Sequence, residues 1–154
     1  MLVQDVMTRD VVTAEPSMRL SEVADTLVRR RLRAIPVIDD QGHVLGMITD
    51  RQVMKHFLPY LDDPEAEAPA RAGMFRDGEV RDAMDRTVMC VNEGQALGDV
   101  VRLMLDKEIE RLPVVREGVL VGFLTRGDII RRLLGGGGAD ARDEPEESGG
   151  PATP

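Results

Sequence analysis

The 154-residue chain has no tryptophan, one cysteine, two histidines and 3% aromatic residues. Each scarcity excludes something. Cys90 has no second cysteine with which to form an internal disulfide. With His43 and His56 the only histidines, no cysteine–histidine zinc cluster can be assembled either. Cys90 lies in the apolar run Val88-Met-Cys-Val91 and reads as a small buried hydrophobe, not a nucleophile. A core short of rings has to be built from Val, Leu, Ile and Met, so the nine methionines read mostly as gap-fillers. The sequence does not open on a basic stretch followed by an apolar run, and it holds no apolar run long enough to span a bilayer. A soluble, cytoplasmic protein without a membrane partner is expected.

Positive charge is also in short supply, and unevenly so. Of the net charge of −8, residues 59–78 carry −3 and residues 135–154 carry −4, leaving the remainder close to neutral. The acidity belongs to a linker and a tail, and it argues against a nucleic-acid partner. Arg29-Arg-Arg31 sits at a predicted helix end, where it complements the helix dipole. The glycine run at 135–138 lacks the Lys-Ser/Thr of a phosphate loop, and the tail it opens is expected to be flexible.

What the chain does contain is itself, twice. Val11-Val-Thr-Ala-Glu-Pro-Ser-Met-Arg-Leu-Ser-Glu-Val23 aligns with Val88-Met-Cys-Val-Asn-Glu-Gly-Gln-Ala-Leu-Gly-Asp-Val100 at an offset of 77. The alignment runs on through Arg33-Ala-Ile-Pro-Val-Ile38 and Glu110-Arg-Leu-Pro-Val-Val115. It shortens to an offset of 76 at Val44-Leu-Gly-Met-Ile-Thr49 and Leu120-Val-Gly-Phe-Leu-Thr125. Each copy opens with a short helical turn (3–7 and 80–84) and continues into a β-rich run (11–14 and 88–91). Leu20, Val23, Ala24, Leu27 and Val28, like Leu97, Val100, Val101, Met104 and Leu105, then make one apolar helical face. Pro36 and Pro113 are expected to begin short strands. Turns lead to strands at 44–49 and 119–125 and to closing helices at 51–58 and 127–134. The fold class is α+β (α/β): two β-α-β-β-α repeats packed about a pseudo-twofold axis. The expected division is 1–58 first repeat, 59–78 acidic linker, 79–134 second repeat and 135–154 flexible Gly-rich acidic tail.

Ala34-Ile-Pro-Val-Ile38, Leu112-Pro-Val-Val115, Gly46-Met-Ile-Thr49, Gly122-Phe-Leu-Thr125 and Thr125-Arg-Gly-Asp128, in this doubled order, resemble a tandem pair of cystathionine-β-synthase (CBS) domains. The resemblance implies a compact module with two related clefts between the repeats. Such modules bind adenosine-containing ligands: AMP, ADP, ATP, S-adenosylmethionine, NAD or adenine dinucleotides. They regulate an attached or separate protein and commonly pair as homodimers. The repeats are expected to stand without an enzyme or membrane domain, and the output to pass to a separate partner protein or to the tail. No cofactor is required; the nucleotide is a regulatory ligand.

The resemblance also implies roles for residues. Asp128 matches the ribose-holding carboxylate and Thr125 the Ser/Thr of that motif. A vicinal diol offers two donors to two acceptor oxygens, each charge-assisted bond contributing about 1.5–3 kcal/mol. Adenine is expected among Phe123, Val12 and Leu32, and phosphates near Arg126 and Arg111. The related second cleft has Gln52 in place of the carboxylate, with Thr49, Met47, Met89 and Ile109 around it and a cationic rim of Arg33 and Arg51. Gln52 is neutral and one methylene longer, so this cleft is expected to be weaker, differently selective or empty. Taken alone, Asp128 reads first as a helix N-cap, and Phe123, Val12 and Leu32 read at least as well as core. The main reading is a ligand-sensing regulatory module; the alternative is a ligand-free dimerisation or scaffold module. An enzyme is disfavoured, because no Ser/His/Asp set, Cys/His set, metal spacing or phosphate loop is evident.

Overall fold

The computed structural model describes residues 1–62 and 78–136; most of the acidic linker and nearly all of the tail lie outside the described residues. A 3-10 turn at Val3–Asp5 leads, after an extended segment, to α1 (Leu20–Arg29), β1 (Ala34–Ile38), β2 (Val44–Thr49) and α2 (Asp50–Leu61). The second repeat runs α3 (Val80–Ala83), β3 (Val91–Asn92), α4 (Leu97–Asp106), β4 (Arg111–Arg116), β5 (Val119–Thr125) and α5 (Arg126–Leu133).

The apolar spacing in α1 buries Leu20, Val23 and Leu27, and that in α4 buries Leu97, Val100 and Met104. Both helices stop in the same way. Arg31 and Glu108 take left-handed backbone (φ 52° and 55°), and the N–H of the next residue, Leu32 or Ile109, reaches back five residues to Leu27 or Met104.

β1 and β2 pair antiparallel. In the second repeat β4 lies between β3, which it meets in parallel, and β5, antiparallel. The expected strand at 11–14 shrinks to one parallel bridge, Ala14 to Val37. Its counterpart, expected at 88–91, forms the two-residue strand β3 at Val91–Asn92. The difference follows from Pro16, which has no N–H to extend the ladder, whereas Glu93 at the corresponding place donates to Val115.

The prolines expected at strand starts lie inside the strands, opposite Met47 and Phe123. This is tolerated because Met47 turns both its N–H and C=O away from Pro36, exchanging 2.9 Å bonds with Asp85. Phe123 does the same with Thr8 at 2.8 Å.

Those exchanges belong to a crossing of the two repeats. The first repeat's leading turn does not pack on its own repeat: Val3, Val6 and Met7 are buried with Leu97, Val100, Leu112, Val114 and Leu124. Reciprocally, Val80, Ala83 and Met84 are buried with Leu20, Val23, Ile35, Val37 and Ile48. At about 1.5–3 kcal/mol per fully buried apolar side chain, these crossings weld the repeats into one unit. Gly46 and Gly122 permit the approach: a Cβ would lie 2.5 Å from the Asp85 carbonyl oxygen at Gly46 and 2.5 Å from the Met7 sulfur at Gly122. At the far end the hairpin turns touch, Leu120 N–H donating to Gly42 O at 2.9 Å. Among the described residues no helix is long and apolar enough to cross a membrane.

Candidate functional site at the repeat junctions

The crossing brings each leading segment against the strand-to-helix junction of the other repeat. At both junctions a threonine in extended backbone caps the helix: Thr49 Oγ1 accepts from Gln52 N–H at 3.1 Å, and Thr125 Oγ1 from Asp128 N–H at 3.2 Å. Asp128 is therefore the third helical residue, not the N-cap. Its Oδ2 accepts from Thr125 N–H at 2.9 Å and completes a reciprocal capping box. Gln52 makes no such return bond among the described residues.

Around Asp128 the junction is filled from within. Its side chain is 8% exposed, and Oδ1 accepts from Arg131 at 2.7 Å and, at 3.4 Å, from Thr8 Oγ1 of the crossing segment. Phe123 meets the same segment through the backbone bridge to Thr8. Arg126 donates its Nε to Ile109 O at 3.4 Å and its backbone N–H to Glu110 O. Val12 and Leu32 pack on the first core.

At Gln52 the junction is open, a cavity of about 510 Å³ spanning both repeats. The first repeat contributes Arg33, Thr49, Asp50, Arg51, Gln52 and Lys55; the second contributes Asp85, Glu110 and Arg111. Arg111, expected at the Asp128 cleft, thus lines the Gln52 cavity, paired with Glu110 at 3.1 Å. Four residues expected at this cleft, Thr49, Gln52, Arg33 and Arg51, do line it. Met47 is buried beneath, Ile109 packs on the second core, and Met89 is not part of the lining.

Reading the sequence for sites missed Thr8 and Arg131 at one junction, and Lys55 and Asp85 at the other. The signal was present: the repeat alignment puts Thr8 over Asp85 and Lys55 over Arg131. Asp85 Oδ1 accepts from Thr87 Oγ1 at 2.7 Å and Thr87 N–H at 2.9 Å. These bonds hold the carboxyl below its ordinary range; burial opposes them, and the charge of Lys55 assists. Burial pushes the half-buried Cys90 thiol up, away from a reactive thiolate. No group of three metal-ligating side chains occurs among the described residues.

The repeat architecture matches a known pattern: residues 3–59 and 80–135 each fit the CBS domain. The chain belongs to the CBS domain family. Among its CBS relatives, MJ1225 of Methanocaldococcus jannaschii is 30% identical over 131 residues, covering 85% of this chain and 42% of the relative, so the chain spans less than half of that protein. The CBS domain-containing protein YhcV of Bacillus subtilis is 32% identical over 129 residues, 82% of this chain and 81% of YhcV. Arabidopsis thaliana CBSX2, solved in complex with AMP, superimposes with a TM-score of 0.70 at 29% identity, covering 87% of this chain and 96% of that one.

Proposed function

We propose that this CBS pair is a regulatory sensor that binds an adenosine-containing nucleotide in its inter-repeat clefts and signals to a separate protein. The carrying observation is the polar cavity of about 510 Å³ between the repeats, within the size range of small-molecule sites. That AMP is bound by CBSX2, 29% identical to this chain, supports the same ligand class here.

In the Asp128 cleft, the carboxylate receives the ribose hydroxyls beside Thr125, with Phe123 against the base and Arg126 towards the phosphate. A diol reaches Oδ1 by taking the place of Thr8, whose 3.4 Å bond is long, and by loosening Arg131. Occupancy then changes how the crossing segment sits on the other repeat, which is the change a partner reads. The ligand is regulatory, and no catalytic step is assigned.

The chain also pairs with a second copy. Val28, Met54 and Leu58 are exposed apolar side chains, and so are their repeat counterparts Leu105, Ile130 and Leu134. Apolar surface repeated about a pseudo-twofold axis suits a symmetric partner, and sedimentation equilibrium should find a dimer.

One observation favours the scaffold alternative: Asp128 is already satisfied by Thr125, Arg131 and Thr8. Thermal unfolding with AMP, ADP, ATP, S-adenosylmethionine or NAD in excess separates the two. A ligand at about 100 times its Kd adds roughly 2.7 kcal/mol, a rise of several degrees for a chain of this size. A rise with one of these ligands supports the sensor; none with any of them leaves the scaffold.

A further inference from the structure

The two junctions hold the same three kinds of group in different places. At one, the carboxylate (Asp128) is on the helix, the neutral hydroxyl (Thr8) on the crossing segment, and the base (Arg131) one helical turn further along. At the other, the neutral amide (Gln52) is on the helix, the carboxylate (Asp85) on the crossing segment, and the base is Lys55. The acid has moved from the helix to the crossing segment beside it.

We infer that Asp85 is the hydroxyl-binding carboxylate of the Gln52 cavity, so that this cleft takes a nucleoside phosphate with free ribose hydroxyls although its helix lacks an acid. The inference rests on the nucleotide-binding reading given above. Asp85 lines the cavity; its Oδ1 is committed to Thr87, while its Oδ2 accepts no hydrogen bond among the described residues. An ionised carboxylate oxygen at a cavity wall, without a donor, is suited to a ligand hydroxyl. Of the other lining carboxylates, Asp50 accepts from Arg51 N–H at 2.7 Å and Glu110 pairs with Arg111; the guanidinium groups of Arg33 and Arg51, which line the same cavity, form no ion pair among the described residues. Together with Lys55, whose charge also reaches Asp85, they offer an anionic group a place in the same cavity. The ligand this lining fits therefore carries hydroxyls at one end and phosphate at the other.

The competing explanation is local. Asp85 to Thr87 is an Asx-type turn, which orders the loop whether or not the side chain is charged. Asparagine makes the same turn without the charge, so Asp85→Asn separates the two roles.

The experiment is calorimetric titration of the full chain with AMP and with 2′,3′-dideoxyadenosine 5′-monophosphate, which lacks both ribose hydroxyls. It is run with native Asp128 and with Asp128→Asn, where the heat reports the Gln52 cavity. In the Asp128→Asn chain, AMP should bind about tenfold or more tighter than the dideoxy analogue, the weight of a charge-assisted bond. Adding Asp85→Asn should erase that preference by weakening AMP alone, with the ligand-free chain still folded. Asp85→Thr, which copies Thr8, should do the same and serves if the asparagine variant does not fold. An unaltered preference, or equal weakening of both ligands, overturns the role of Asp85. AMP binding that vanishes with Asp128→Asn alone overturns it too, while leaving the sensor reading standing. No AMP binding to the native chain overturns both.

Discussion

At the β2–α2 junction Thr49 caps a helix whose third residue is Gln52; at the β5–α5 junction Thr125 caps one whose third residue is Asp128. The backbone plan is shared, down to the crossing segment that bridges Met47 on one side and Phe123 on the other. The carboxylate at 128 returns the cap's hydrogen bond, draws in Arg131 and Thr8, and is left 8% exposed. The amide at 52 makes no return bond among the described residues, and about 510 Å³ stays open beside it. The helix position, the crossing segment and the next helical turn differ together, and with them how far the protein's own side chains fill the junction.

The comparison can be broken most severely at the glycines that admit the crossing segments. At Gly46 an added Cβ meets the Asp85 carbonyl oxygen at 2.5 Å, and backbone cannot swing aside. Gly46→Ala is expected to cost about 3 kcal/mol. At Gly122 the nearest atom is the Met7 sulfur, with Thr8 O at 3.0 Å. Methionine repacks easily, so Gly122→Ala should cost about 1–2 kcal/mol. Urea unfolding orders the two; a reversed order would mean that the crossing at the Gln52 side is not the tighter one.

Next come the helix positions themselves. Asp128→Ala removes a capping-box acceptor and the partner of Arg131, and should cost about 1–2 kcal/mol. Gln52→Ala should cost under about 0.5 kcal/mol, in the range of surface changes. Equal effects in urea titrations would show that the return bond to Thr125 carries no stability.

The smallest effect is on acid stability. Asp85 is held below its ordinary carboxyl value of 3.8 by Thr87, with Lys55 assisting. The native state thus favours the ionised form more than the unfolded chain does. That contribution is complete above about pH 4 and is lost as pH falls through the lower folded value. Asp85→Asn should remove this part of the pH dependence, so that its urea midpoint falls less than the native midpoint between pH 4 and pH 2. Parallel slopes for native chain and Asp85→Asn would contradict the assigned cause.

Much of this was legible in the residues. Doubled motifs at offsets of 77 and 76 locate the hairpins and the helix faces, because apolar periodicity is a local property. The crossing was not legible. Val3, Val6 and Met7 are much like Val80, Ala83 and Met84 in character, so pattern alone cannot assign each turn to its core. Its traces were Gly46, Gly122, Pro36 and Pro113, whose reasons appear only when the other repeat's segment lies beside them. The sites were half legible. Thr125 and Asp128 were read from their motif, whereas Thr8, Lys55, Asp85 and Arg131 enter only through the crossing and the next helical turn.

Calorimetric titration of the native chain with AMP tests the central claim most directly. Two clefts built on one plan but charged differently should bind with two distinct affinities per chain. Two indistinguishable sites would contradict the inequivalence of the junctions, and no binding would contradict nucleotide sensing itself.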